Sequence, residues 1–230
     1  MRDILIDCLP IIDLLEVTPS TNVVASLTNC DQSSVSRIYR HVSQSLDLGF
    51  RKINGTYRAH RNQEVLYSLR QASQLMRMHR GASHLNWVGS WWNETALLRQ
   101  LKSPPLPRHW QEEERTLQLL DARVLDLAVV CGLEVLPCQD LLDREPFIWG
   151  PWAAIGLVRY PLELRSTITK SKPAIDRQDQ SYQQNPGTIC TDVALIRSEH
   201  LNRPAIKALI EDIRIAYHQV CKHNSELEWL

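Results

Sequence analysis

Asp31–Arg61, DQSSVSRIYRHVSQSLDLGFRKINGTYRAHR, is the stretch whose reading decides the fold. Its first half has the period of a helix with two faces, because Val35, Ile38, Tyr39, Val42 and Leu46 recur at the three-and-four spacing of a buried stripe. Ser33, Ser34, Ser36, Arg37, Arg40, His41 and Gln44 fall largely on the remaining surface. That surface carries hydrogen-bonding and positive groups and no acid, which suits a DNA major groove with base-edge acceptors between phosphates. The second half holds Asn54-Gly55, a strong hairpin signal, flanked by Arg51, Lys52, Arg58 and Arg61. A helix followed by a basic hairpin is the build of a winged helix-turn-helix. The plain alternative is an amphipathic helix with a solvated charged face.

Charge supports the first reading. The chain of 230 residues has no formal net charge. From Ser33 to Arg80, however, nine basic residues (Arg37, Arg40, Arg51, Lys52, Arg58, Arg61, Arg70, Arg77 and Arg80) meet only Asp47 and Glu64, a net +7 that the rest must balance with −7. A basic block beside an acidic body is the footprint of a nucleic-acid-binding part joined to a part with another task. No apolar run is long enough to span a bilayer and no signal-peptide pattern opens the sequence, so a cytoplasmic protein is expected. Cys8, Cys30, Cys131, Cys138, Cys190 and Cys221 are scattered singly, without metal-ligand spacing. They read as small buried hydrophobes, with a Cys131–Cys138 redox pair as the lesser alternative.

Outward from the opening stretch, the apolar run Ile4–Glu16 predicts a helix in which Pro10 marks a kink or the first turn. Thr18-Pro19-Ser20 breaks the chain, 22–28 is a short helix, and Asp31 is placed to cap the helix after it. Arg61–Arg80 contains no Gly or Pro and predicts a long helix. Its stripe of Val65, Leu66, Leu69, Ala72, Leu75, Met76 and Met78 needs a cover, most simply a second copy of itself. After Gly81 the pattern alternates. Strands are expected at 84–92, 124–131, 153–159 and 191–197, and helices at 93–102, 110–121 and 203–222. Apolar strands alternating with helices predict a mostly parallel sheet covered on both faces. The polar run at about 166–189 reads as a linker or long loop.

The order of parts resembles the LysR-type transcriptional regulators. Ser20-Thr21-Asn22-Val23-Val24-Ala25 is placed like that family's G-S-x-x-x-A-A helix start. Asp31-Gln32-Ser33-Ser34-Val35-Ser36 aligns with its S-Q-P-A-V-S opening of the recognition helix, followed in register by Arg37, Arg40, Val42 and Leu46. Leu119 to Val130, LLDARVLDLAVV, is similar to L-x-x-G-x-L-D-L-A-I-V in the first effector lobe. Gly156-Leu157-Val158-Arg159-Tyr160-Pro161-Leu162 resembles the strand and h-P-L-A piece ending that lobe's first half, and Arg203-Pro204-Ala205 the closing S-P-A helix. The resemblance implies dimerisation through the long helix and an inducer held between two lobes. Here the chain departs from the pattern, because only 166–189 lies where the second lobe is inserted. Arg51 also replaces an apolar residue and Ile53 an arginine, which leaves Arg51, Lys52 and Arg58 to meet phosphates at the wing.

The expected architecture is therefore α/β: a winged helix-turn-helix over 1–60, a linker and dimerisation helix over 61–82, and a single-lobe, Rossmann-like α/β effector domain over 83–230. The expected function is a dimeric, sequence-specific DNA-binding transcriptional regulator, against a protein-interaction module of the same fold with weak or no specific DNA binding. Double-stranded DNA is the expected partner, with contacts from Gln32, Ser33, Ser34, Ser36, Arg37, Arg40, Arg51, Lys52, Arg58 and Arg61. Self-association would use Leu66, Leu69, Leu75 and Met76, and another protein is an open further partner, whether or not through Trp149-Gly150-Pro151-Trp152. Ser90, Asn93 and Thr95 lie where a strand is expected to meet the following helix, a place that can hold an anion, and the resemblance implies that this edge faces the inducer in two-lobed relatives. With no second lobe, a plain capped helix with its tryptophans packed against the neighbouring surface is the favoured reading of these residues. Asp121 and Asp126 have no histidine or metal ligand at recognisable spacing, so no enzyme, metal or cofactor is expected.

Overall fold

The computed structural model describes residues 3–53, 55–89, 101–110, 113–136, 145–161, 189–221 and 228–229. The chain is α/β and divides into two compact units, one of residues 1–87 and 106–126, the other of 88–105 and 127–230.

The first unit begins where Asp3 Oδ1 accepts hydrogen bonds from the backbone N–H groups of Leu5 and Ile6. One wide turn follows over Ile4–Cys8, in which Leu9 N–H reaches back to Ile4 O, and then helix α1 (Leu9–Val17). Pro10 sits in the first turn of α1, where its missing N–H costs nothing. Helix α2 (Thr21–Leu27) is capped by Ser20, and helix α3 (Gln32–Ser45) by Asp31, whose Oδ1 accepts from Ser34 N–H at 2.7 Å. The antiparallel hairpin of β1 (Arg51–Ile53) and β2 (Thr56–Arg58) turns through Gly55, at φ +82°. Leu9, Ile12 and Leu15 of α1, Val24 of α2, Val35, Ile38 and Val42 of α3, with Leu48 and Phe50, form one core. Tyr39, Phe50 and Tyr57 pack their rings at 5.5–6.2 Å between centroids and fix the hairpin to α3.

Helix α4 (Gln63–Arg80) corrects the expected orientation of its faces. The side turned into the unit is Leu66, Arg70, Ser73, Gln74 and Met78. Arg70 donates to Asp13 at 2.7 Å and to Glu16 at 2.8 Å, both on α1 and all three buried. Arg77 makes a two-point contact with Asp126, at 2.8 and 2.9 Å, and also donates to Arg123 O. Arg123 Nη1 in turn donates to Gln74 Oε1 at 2.7 Å. Helix α5 (Glu113–Asp121) joins the network through Arg115, which donates to Glu16 O. Burial pushes the Asp13 carboxyl above its ordinary range, with Arg70 and Arg77 pulling it back. Burial alone would depress Arg70, but Asp13 and Glu16 outweigh it and hold the guanidinium charged.

The second unit is built on a sheet. Among the described residues its strands run in the order β3 (Trp87–Val88), β4 (Leu127–Cys131), β7 (Ile189–Arg197), β6 (Trp152–Pro161), β5 (Phe147–Trp149), and β8 (Glu228–Trp229) pairs β6 as well. The expectation of a mostly parallel, Rossmann-like sheet is overturned. β4 with β7, β7 with β6, β6 with β5 and β6 with β8 are all antiparallel. A continuous apolar run shows that both faces of a strand are covered, and both directions satisfy it equally. The described part of the expected 84–92 strand shrinks to Trp87–Val88. A short turn α6 (Gly132–Val135) follows β4, and helix α7 (Pro204–Cys221) closes the unit, burying Ile206, Leu209, Ile210, Ile213 and Tyr217. The expected 166–189 loop and 93–102 helix lie largely outside the described residues, of which Leu101 and Lys102 are not helical and Ile189 already belongs to β7.

Candidate nucleic-acid interface

The turn between α2 and α3 is short. Asn29 takes a left-handed backbone, at φ 51°, and Cys30 N–H returns to Ala25 O at 2.9 Å. Asn and Asp tolerate that conformation better than most residues. Beyond the turn, the Asp31 carboxylate accepts the hydroxyls of Ser33 and Ser34 and the Ser34 N–H. These three donors, Ser33 first, hold its pKa below the usual carboxylate range.

Gln32, Ser33, Arg37, Arg40, His41 and Gln44 are exposed along α3, and Ser36 is half-buried. Ser34 departs from the expected outward position. It is buried, its hydroxyl donating to Asp31 Oδ2 at 2.8 Å and accepting from Arg37 Nη2 at 3.1 Å. Gln32 Nε2 donates to Thr21 Oγ1 at 3.0 Å, a tie from the start of α3 to the start of α2. The Arg40 guanidinium lies 5.8 Å from the Tyr39 ring centroid.

On the hairpin, Arg51 and Arg58 are exposed and directly opposite one another across the strands. Like charges in that relation destabilise a sheet unless an anion relieves them. Lys52 differs, since its Nζ donates to Pro19 O at 2.8 Å and lies 5.8 Å from the Tyr57 ring. It braces the hairpin against the loop before α2. Arg61 stands 3.4 Å from Asp47, both well exposed, a pair of little energetic weight. Arg70 and Arg77 leave the basic surface altogether, because their charges are spent inside the unit on Asp13, Glu16 and Asp126. Of the nine basic residues between Ser33 and Arg80, Arg37, Arg40, Arg51, Lys52 and Arg58 stay exposed on α3 and the hairpin, with Arg61 and Arg80 exposed elsewhere, a narrower field than the sequence count suggested.

The residues expected to mediate self-association separate into two groups. Leu66 is buried in the core of its own unit, and Leu69 packs against that core, half-buried. Leu75 is 41 % exposed and Met76 half-buried. Val65 is 44 % exposed and Ala72 is exposed, so Val65, Ala72 and Leu75 form an outward apolar line at heptad-like spacing. Ser90, Asn93 and Thr95 lie outside the described residues.

Elsewhere, Asp192 is fully buried in the second unit and accepts from Tyr160 Oη at 2.8 Å and Tyr217 Oη at 2.7 Å. Sequence reasoning missed this cluster, since the three residues are far apart in the chain. Among the described cysteines, Cys30 is exposed while Cys8, Cys131 and Cys190 are buried, and Cys138 lies outside the described residues. Among the described residues no three His, Cys, Asp or Glu side chains gather as metal ligands, and no helix is long and apolar enough to cross a membrane.

Neither a family model nor a curated protein sequence matches the chain. Among solved structures, full-length OxyR from Pseudomonas aeruginosa is similar at 12 % identity and a TM-score of 0.46, over 96 % of this chain and 96 % of that one. ArgP from Mycobacterium tuberculosis is similar at 12 % identity and 0.36, over 94 % and 97 %. CrgA, a LysR-type transcriptional regulator from Neisseria meningitidis, is similar at 11 % identity and 0.32, over 94 % and 98 %. At these values the functional reading rests on the chain's own residues.

Proposed function

We propose that this chain is a sequence-specific DNA-binding transcriptional regulator whose residues 1–60 act as a winged helix-turn-helix. One observation carries the reading: an acid-free, exposed face of α3 lies in the same unit as a hairpin that sets Arg51 opposite Arg58. The hairpin cations meet phosphates, which supply affinity and fix register. Gln32, Ser33, Ser36, Arg37 and Arg40 meet base edges, which supply specificity. Ser34 supports them from behind. The exposed Val65–Ala72–Leu75 line of α4 supplies the contact with a second copy, and a two-fold pair presents two α3 helices to an inverted repeat. The remainder of the chain acts as a single-lobe effector part.

Selection of bound sequences from random duplexes with the purified full chain tests the reading. Enrichment of an inverted repeat is expected, and failure to enrich any motif would overturn it. Arg51→Ala or Arg58→Ala should weaken binding to all sequences alike and flatten the log–log salt dependence by about 0.9 each. Arg37→Ala should instead change which sequences are enriched. Lys52→Ala, braced on Pro19, should alter the salt slope less than either arginine.

A further inference from the structure

The hydrogen bonds at the start of α3 run in one direction. Arg37 Nη2 donates to Ser34 Oγ, and Ser34 Oγ–H donates to Asp31 Oδ2. The exposed Ser33 hydroxyl donates to Asp31 Oδ1. A hydroxyl has one proton and two lone pairs. With that proton committed to a carboxylate that stays ionised, Ser33 offers the solvent side lone pairs alone. Ser34 is buried, so its two bonds hold the Arg37 guanidinium in place from inside the unit. An arginine so oriented matches the O6 and N7 acceptors of guanine, and an acceptor-only hydroxyl matches the amino groups of cytosine or adenine.

Resting on the DNA-binding reading above, we infer that Asp31 is a positioning residue for base recognition. Through Ser34 it orients Arg37 towards guanine. Through Ser33 it presents an acceptor to an amino-bearing base, cytosine or adenine, at a neighbouring step. The acid that a phosphate-binding surface would exclude is retained here because it decides which hydrogen-bonding direction each neighbour shows.

The test uses the full-length chain and compares enriched motifs and binding to defined duplexes for the wild type, Ser34→Ala, Asp31→Asn, Arg37→Ala and Ser34→Ala with Arg37→Ala. Asn caps a helix as well as Asp does, so Asp31→Asn should melt close to the wild type and isolates the effect of the charge. The wild type should require guanine at one position and cytosine or adenine near it. Ser34→Ala should lower the preference for that guanine roughly tenfold, as loss of one good base contact does, with the salt slope unchanged. Adding Ser34→Ala to Arg37→Ala should cost nothing further, because both act through one contact. Asp31→Asn should let thymine or guanine replace the amino-bearing base. The inference is overturned if Arg37→Ala shifts the motif while Ser34→Ala and Asp31→Asn keep the wild-type profile. A wild type that enriches no motif at all would instead overturn the DNA-binding reading, and the relay with it.

Discussion

Helices α4 and α7 have the same length, 18 residues, and opposite ways of being held. α7 buries the stripe its sequence announces, Ile206, Leu209, Ile210, Ile213 and Tyr217. α4 buries Arg70, Ser73 and Gln74 between Leu66 and Met78, and turns Val65 and Leu75 outward. Periodicity identifies which face of a helix is apolar, and it is silent on whether that face meets the helix's own chain. In α7 the fold has first use of the apolar face. In α4 the fold takes the polar face, through Asp13, Glu16, Asp126 and Arg123, and leaves the apolar line for something else.

Arg70→Met should destabilise the chain by about 3–5 kcal/mol in urea unfolding, because it takes from the buried Asp13 carboxylate its hydrogen-bonded cation and leaves Glu16 only Arg115, at 3.8 Å. Leu209→Ala in α7 should cost a similar roughly 2–5 kcal/mol by a different route, the cavity. The two separate on acidification. Asp13 already has a folded pKa above its unfolded value of 3.8, and loss of Arg70 raises it further. A raised folded pKa means stability that is present below the unfolded value and lost as pH rises. The Arg70→Met deficit should therefore shrink between neutral pH and pH about 4, while the Leu209→Ala deficit stays constant. A deficit independent of pH would show that the polar seat of α4 is not ionic.

Second in size is the outward line. Leu75→Asp should leave urea unfolding of the first unit nearly unchanged, since an exposed side chain contributes little to it. Sedimentation should show dissociation, because covering the 41 % of Leu75 still exposed is worth roughly 1–2 kcal/mol for each copy and an aspartate there forfeits it. Leu66→Asp should do the reverse and unfold the unit, as Leu66 belongs to its core. A wild type that is monomeric at micromolar concentration would remove the proposed role of this face.

Legibility followed the range of the interactions involved. Asp31 as a cap, α3, the hairpin around Gly55 and the stripe of α7 depend on neighbours a few residues apart, and the structure carries them as read. The buried face of α4 depends on Asp13 and Glu16, more than fifty residues away, which no local pattern links to Arg70. Antiparallel pairing of β6 with β7 was equally hidden, because hydrophobic runs carry no direction. Ser34 had a readable signal. It lies four residues before Ile38 on the buried side and three after Asp31, the spacing at which a cap meets the chain it caps.

Helix α7 also reaches into its own unit with polar groups, Arg214 donating to Gly156 O at 3.2 Å and Tyr217 to the buried Asp192. Tyr217 and Tyr160 both donate to Asp192, so Tyr217→Phe or Tyr160→Phe should cost about 1.5–3 kcal/mol, the range for a bond to a charged group. Burial first, then the Asp192 carboxylate, pushes the Tyr160 phenol well above 10. Its stability contribution is therefore complete below pH 10 and lost as pH rises towards the folded value, where the unfolded chain ionises and the folded chain does not. Unfolding midpoints from pH 8 to 11 should fall in the wild type and fall less steeply in Tyr160→Phe.

The smallest effect is expected at Arg123, where α4's polar seat ends on a strained backbone. Arg123 has φ 61°, a left-handed conformation that costs an L-residue roughly 1–2 kcal/mol and glycine almost nothing. Its guanidinium donates to Gln74 at 2.7 Å and lies 5.1 Å from the Tyr67 ring, which offsets that cost. Arg123→Gly removes the strain and the contacts together, and should change stability by less than about 1 kcal/mol. Arg123→Ala keeps the strain and loses the contacts, so it should be the worse variant by about 1 kcal/mol or more. Should Ala and Gly prove equal in urea unfolding, the backbone strain is not felt. Should both cost several kcal/mol, the Gln74 contact carries far more of α4's seating than Arg70 and Arg77 leave for it.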